Sequence, residues 1–289
     1  MSDRPQQEKE FRIRPSLFDS LDLLPQTPEQ ALKFGAEYYK EFLEPVLPGL
    51  ASEVAKIQQE TGVPNDKTAC VFLERDARPA MLAWHELTTG SSLTSLSIPI
   101  SATQMDEIFE LYPPFENANL GLIKNPDEWS RTWAHEIDPL FHYFGNSQNW
   151  VDAIRESHGK KLANTKLINV VDIGYHGSAV ETGRYLLKRA FPDKTVKSIL
   201  LYRYSDEIPI RCVKSDETTW YAEKSIPHTT SGYALSAGKY RYLRPEATKN
   251  SIEIENQFYR GVIKAARKDK ERFRLLSSPT FWARSRPSE

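Results

Sequence analysis

LINVVDIGYHGSAVETGRYLLKRAF, residues 167–191, decides how this chain is read. Leu167 to Val171 is a short, mostly apolar run without polar alternation, the pattern of a strand buried on both faces of a parallel sheet. It ends in a carboxylate, Asp172. A loop follows (Gly174, Tyr175, His176, Gly177, Ser178), and then a helical pattern. The strand carries its acid to the C-terminal edge of the sheet. The glycines let backbone N–H groups approach an anion, and the helix N-terminus adds about half a positive charge. This is the layout of a phosphate- or nucleotide-binding strand–loop–helix. Asp172 is placed to accept hydrogen bonds from ribose hydroxyls or to bind a metal. Gly174, Gly177 and Ser178 would cradle an anion, and His176 would touch a phosphate or move a proton. The same residues also read as a tight strand-to-helix turn with Ser178 as a plain N-cap.

A second unit lies upstream. Thr68–Leu73 is another continuous apolar run, and Glu74-Arg75-Asp76-Ala77-Arg78-Pro79 interrupts it before a helix over Ala80–Leu87. Arg75 and Arg78 could grip a phosphate or pyrophosphate with forked donors. Asp76 could hold Arg75 in place or help bind a metal. A solvated loop with self-paired charges would have the same composition. Two such units predict an α/β fold with a Rossmann-like, mainly parallel sheet. Ligands of such sheets bind beyond the carboxyl ends of the strands, which puts both loops on one rim.

The rest of the chain is arranged around these units. Residues 1–62 read as a helical N-terminal layer and 63–289 as the α/β domain. The layer holds a helix that starts at Thr27-Pro28-Glu29-Gln30 and runs to about Phe42, and a second from Leu50 to Thr61 that Gly62 ends. A strand-like run covers Leu93 to Ile100. A helical, aromatic-rich insertion is expected at about 101–160. Val196–Tyr204 reads as the next strand, with short strands at Ile210–Val213 and Thr218–Ala222, and a final helix over Asn250–Arg267.

Composition narrows the function classes. In 289 residues, Lys+Arg is 38 and Asp+Glu is 39, so no global charge argues for nucleic acid or an acidic membrane. The basic C-terminal helix and tail (Arg260, Lys264, Arg267, Lys268, Lys270, Arg272, Arg274, Arg284, Arg286) could meet an anionic partner or nucleic acid. The preferred reading is a solvated face offset by Glu253, Glu255 and Glu271. The two cysteines, Cys70 and Cys212, make neither a disulfide framework nor a metal motif. No apolar run reaches membrane-span length and the first residues are polar, so a cytoplasmic location is expected, with no membrane partner. The oligomeric state is left open, a homo-oligomer included.

The two loops, in this order, resemble those of type I phosphoribosyltransferases. Residues 68–88 are similar to that family's first unit, whose loop holds pyrophosphate, and 167–204 to its later unit, whose loop holds the 5′-phosphate of phosphoribosyl pyrophosphate (PRPP). The resemblance implies glycosyl (phosphoribosyl) transfer with Mg2+ bridging the diphosphate and ribose hydroxyls. It makes Arg75, Asp76 and Asp172 the catalytic set, with Asp172 as metal ligand. Arg78, Gly174, His176, Gly177 and Ser178 then bind the phosphosugar or nucleotide. The sequence departs from the family where Ile173 replaces a second acid and where a Thr-Thr-Gly cradle is replaced by His176-Gly177-Ser178-Ala179. Both loops are also similar to an uncharacterised region found beside haloacid-dehalogenase-like domains.

Two alternatives use the same residues. VVDIGYHG resembles the first motif of S-adenosylmethionine methyltransferases, with its second glycine one residue late. The missing acid also suits a non-catalytic nucleotide sensor or partner-binding subunit on the same fold. A cluster of His135, Glu136, Asp138 and His142 lacks metal-site spacing. His228-Thr229-Thr230-Ser231-Gly232 reads as a loop. No G-x-S-x-G elbow and no G-x-x-x-x-G-K-[ST] loop occurs.

Overall fold

The computed structural model describes residues 24–74, 76–100, 147–174, 177–203, 210–215 and 247–277, with shorter pieces at 222, 225–227, 229, 232–236, 239–243 and 279–282. The first helix, α1 (Pro28–Tyr38), begins where its capping residues dictate. The Thr27 side chain accepts from the Gln30 N–H, and the Gln30 side chain reaches back to the Thr27 N–H. A π-helical turn, Tyr39–Leu43, carries the path to about the expected end. Helix α2 (Leu47–Thr61) starts three residues earlier than expected, because Pro48 suits the first turn of a helix. Gly62 ends it in the left-handed conformation.

Strand β1 (Thr68–Leu73) is buried along its whole length. Helix α3 (Arg78–Leu87) follows, then β2 (Thr94–Ile98). Most of the expected insertion, 101–146, lies outside the described residues; its last part is α4 (Ser147–Leu162). Then come β3 (Leu167–Asp172), α5 (Ser178–Ala190), β4 (Thr195–Arg203) and β5 (Arg211–Ser215). The expected strand at 218–222 falls outside the described residues except for Ala222. A separate antiparallel pair, β6 (Gly232–Ser236) with β7 (Lys239–Leu243), precedes α6 (Lys249–Leu276) and a last turn, α7 (Pro279–Trp282). Helix α6 runs 28 residues, well past the expected end at Arg267, so Arg272 and Arg274 are helical rather than part of a tail.

The five strands form one all-parallel sheet in the order β2-β1-β3-β4-β5. Alternation divides β1, β3 and β4 between two cores. Cys70, Phe72, Leu167, Val171, Ile199 and Leu201 pack with residues of α1, α2, α3 and α6. Ala69, Val71, Leu73, Ile168, Val170, Val196 and Leu200 pack with α4 and α5. The result is an α/β sandwich in which the N-terminal helices share a core with the C-terminal one. Contact between α1 and α6 is backbone-close: a Cβ on Gly35 would lie 2.0 Å from the Phe258 carbonyl oxygen, and one on Gly261 would lie 2.1 Å from that of Leu32.

Candidate functional site at the β1–β3 crevice

The sheet order reverses between β1 and β3. Chain order runs outward to β2 on one side and to β4 and β5 on the other. Helix α3 leaves β1 toward one face and α5 leaves β3 toward the other, which opens a crevice at the carboxyl ends of the two strands. Register sharpens this. Phe72 pairs with Val171, so Leu73 is level with Asp172, and the two predicted loops start side by side.

Asp172 sits at that edge with 7% of its surface exposed. Its Oδ1 accepts from the Ile173 N–H at 2.9 Å, which fixes the carboxylate against its own backbone. Alternation sets Asp172 in line with Ile168 and Val170, on the face covered by α4 and α5. Ile173 points the other way. It is fully buried in the core under the opposite layer, and its carbonyl accepts from the Tyr202 N–H. The residue that replaces a second acid is therefore a core residue.

Gly174 has φ +95°, and an added Cβ would lie 2.2 Å from the Tyr202 carbonyl oxygen. Both the conformation and the space demand glycine. Gly177, at φ +76°, is itself the N-cap of α5, and Ser178 is the first helical residue. The plain N-cap reading therefore moves from Ser178 to Gly177. Tyr175 and His176 lie outside the described residues, as does the Ser178 side chain. In the first turn of α5, Glu181 is buried and bonded to Arg184 Nε at 2.7 Å. The sequence carries no signal that singles this acid out, since an i,i+3 Glu–Arg pair is common on helices.

The upstream loop is built differently. Arg75 lies outside the described residues, and Asp76 is half-buried in the turn after β1. Arg78 begins α3 instead of sitting in the loop. Its guanidinium lies 4.9 Å from the centroid of the Tyr259 ring, a cation–π contact to α6. The Tyr259 hydroxyl donates to Glu255 Oε1 at 3.0 Å, and the Thr229 hydroxyl donates to Glu255 Oε2. Glu255 was expected on a solvated face, yet only 3% of it is exposed. The structure thus brings Asp172 and the start of the upstream loop to one edge, but turns Arg78 toward α6 on the opposite face. Two of the basic residues of α6 are also paired with carboxylates of other segments. Arg267 makes a forked bond to Glu86, which holds that carboxyl below its usual range, and Arg272 pairs with Glu44.

Other candidates recede. Burial pushes the Cys70 thiol far up, so it stays protonated and unreactive. The cluster at His135–His142 and the side chain of His228 are outside the described residues. Among the described residues, no three His, Cys, Asp or Glu are grouped to hold a metal ion, and no helix is long and apolar enough to cross a membrane. No family model matches the chain, and no curated protein matches it significantly.

Proposed function

We propose that the chain binds a pentose 5-phosphate carrying a 1-diphosphate, of the PRPP type, across the β1–β3 crevice and transfers its pentosyl group. The strand order carries this reading, because it sets Asp172 and the Glu74–Arg78 segment on neighbouring strand ends at the switch point. In the proposal the Gly174–Ser178 turn and the start of α5 hold the 5′-phosphate through backbone N–H groups. Asp172 accepts from the ribose hydroxyls. Arg75 holds the diphosphate, while Arg78, turned toward α6, braces the β1 end through its cation–π contact with Tyr259. In the reaction the C1–O bond breaks with its electron pair on the departing pyrophosphate. The acceptor forms the new bond at C1 and gives up a proton.

A Mg2+ ion suits this donor set only as part of the substrate. Asp172 is the sole carboxylate of the β3 turn, and Mg2+ is commonly held by one or two carboxylates together with substrate phosphates. Bound that way, the ion neutralises charge on the diphosphate.

The burial of Ile173 favours a second reading, a ligand sensor that binds without turnover. Calorimetric titration with PRPP and Mg2+, followed by an assay of pyrophosphate release with candidate acceptors, separates the two. Binding with release supports transfer, and binding without release supports sensing. Binding of S-adenosylmethionine and not of PRPP would overturn both.

A further inference from the structure

Strand β4 outruns β3 at the crevice. Asp172, the last residue of β3, pairs with Leu200, so Leu201, Tyr202 and Arg203 lie beyond it. The β3 turn rests on this overhang. The Tyr202 N–H donates to the Ile173 carbonyl at 2.8 Å, and the Tyr202 carbonyl oxygen fills the space that a Cβ on Gly174 would need. The backbone of one residue therefore sets the path by which the chain leaves Asp172.

That residue is held from the N-terminal layer. The Tyr202 ring is buried, and its hydroxyl donates to the Phe42 carbonyl at 2.6 Å. Phe42 belongs to the π-helical turn Tyr39–Leu43. In a continuing α-helix its carbonyl would accept from the Val46 N–H, but that N–H goes to Leu43. Pro45, one residue earlier, has no N–H to offer. The end of the π-turn thus presents a carbonyl to a side-chain donor 160 residues away. A shift of the Tyr202 backbone would break this bond and leave the buried carbonyl without that donor, which is costly.

We propose that Tyr202 is a positioning residue of the crevice: its hydroxyl, tied to Phe42, fixes the backbone on which Ile173 and Gly174 rest, so the N-terminal layer holds the β3 turn in its binding shape. The role in binding rests on the PRPP reading. The test compares the full chain with Tyr202→Phe, which keeps the ring, and with Tyr38→Phe. Tyr38 is a matched control, because its buried hydroxyl also donates to a backbone carbonyl, that of Ala222. Hydrogen exchange at the Ile173 and Tyr202 amides is read by NMR without ligand, and affinity for PRPP with Mg2+ by calorimetry. Exchange about fivefold faster and PRPP binding about fivefold weaker in Tyr202→Phe, with both changed by less than about twofold in Tyr38→Phe, supports the role. An equal rise in exchange in both variants would make the hydroxyl a contributor to overall stability only and overturn it. Unchanged exchange in Tyr202→Phe, or faster exchange with unaltered PRPP affinity, would overturn it too. Failure of the unaltered chain to bind PRPP would instead remove the PRPP reading, and the exchange comparison would still decide whether Tyr202 holds the turn.

Discussion

The two strand-end turns at the crevice do similar geometric work with different materials. The turn after β3 is made of backbone: a left-handed Gly174 pressed against Tyr202, a left-handed Gly177 at the helix cap, and one carboxylate fixed to the next N–H. The segment after β1 is made of charged side chains, and Arg78 at its end is tied to α6 through Tyr259 and the buried Glu255. A turn built from backbone can present N–H groups to a ligand at little cost in side-chain order. A segment built from long side chains needs other elements to hold them. The lesson is that α6, far along in sequence, belongs to the support of the β1 end.

If the β3 turn depends on backbone shape, Gly174→Ala should carry the largest penalty. Its Cβ would sit 2.2 Å from a backbone oxygen at a φ that L-residues avoid. A loss of about 3 kcal/mol or more is expected in denaturant unfolding; a loss under about 1 kcal/mol would show that the turn is not constrained as described. The β1 side should respond next at Glu255. Glu255→Ala leaves two hydroxyl donors without their acceptor and should cost about 1–3 kcal/mol, whereas Glu255→Gln, which keeps an acceptor, should cost less. Arg78→Ala should be the mildest, about 0.5–1 kcal/mol for a partly exposed cation–π contact. A double cycle of Arg78→Ala with Tyr259→Leu should show that the two losses are not additive. Additive losses would break the proposed tie to α6.

The sheet was legible because its central strands, β1 and β3, are buried on both faces, and such strands write themselves as short apolar runs. Thr68–Leu73 and Leu167–Asp172 match the expected ranges. Helix ends were readable where a cap fixes them, as at Thr27 and Gly62, and less so where packing decides. Helix α6 outruns its expected end because Phe273 is held in the core with Trp84, a contact that local pattern does not encode. The candidate site was legible in part. Asp172 and the glycines could be named because strand ends and glycine spacing are local signals. Glu255, Tyr259 and Thr229 could not, since only the fold brings them to Arg78, and an acid on a basic amphipathic helix looks solvated. The role of Ile173 was half legible. Sequence showed the missing acid, and only the structure turned that residue into the core.

The central claim is that Asp172 and the two turns form one site for a PRPP-type ligand. Its most direct test is calorimetric titration of PRPP with Mg2+ into the unaltered chain and into Asp172→Ala, with thermal unfolding of both as a check on folding. Saturable binding by the unaltered chain, weakened tenfold or more in the folded variant, is the predicted result, about 1.4 kcal/mol at 25 °C. Failure of the unaltered chain to bind PRPP, or equal affinity in Asp172→Ala, would contradict the account.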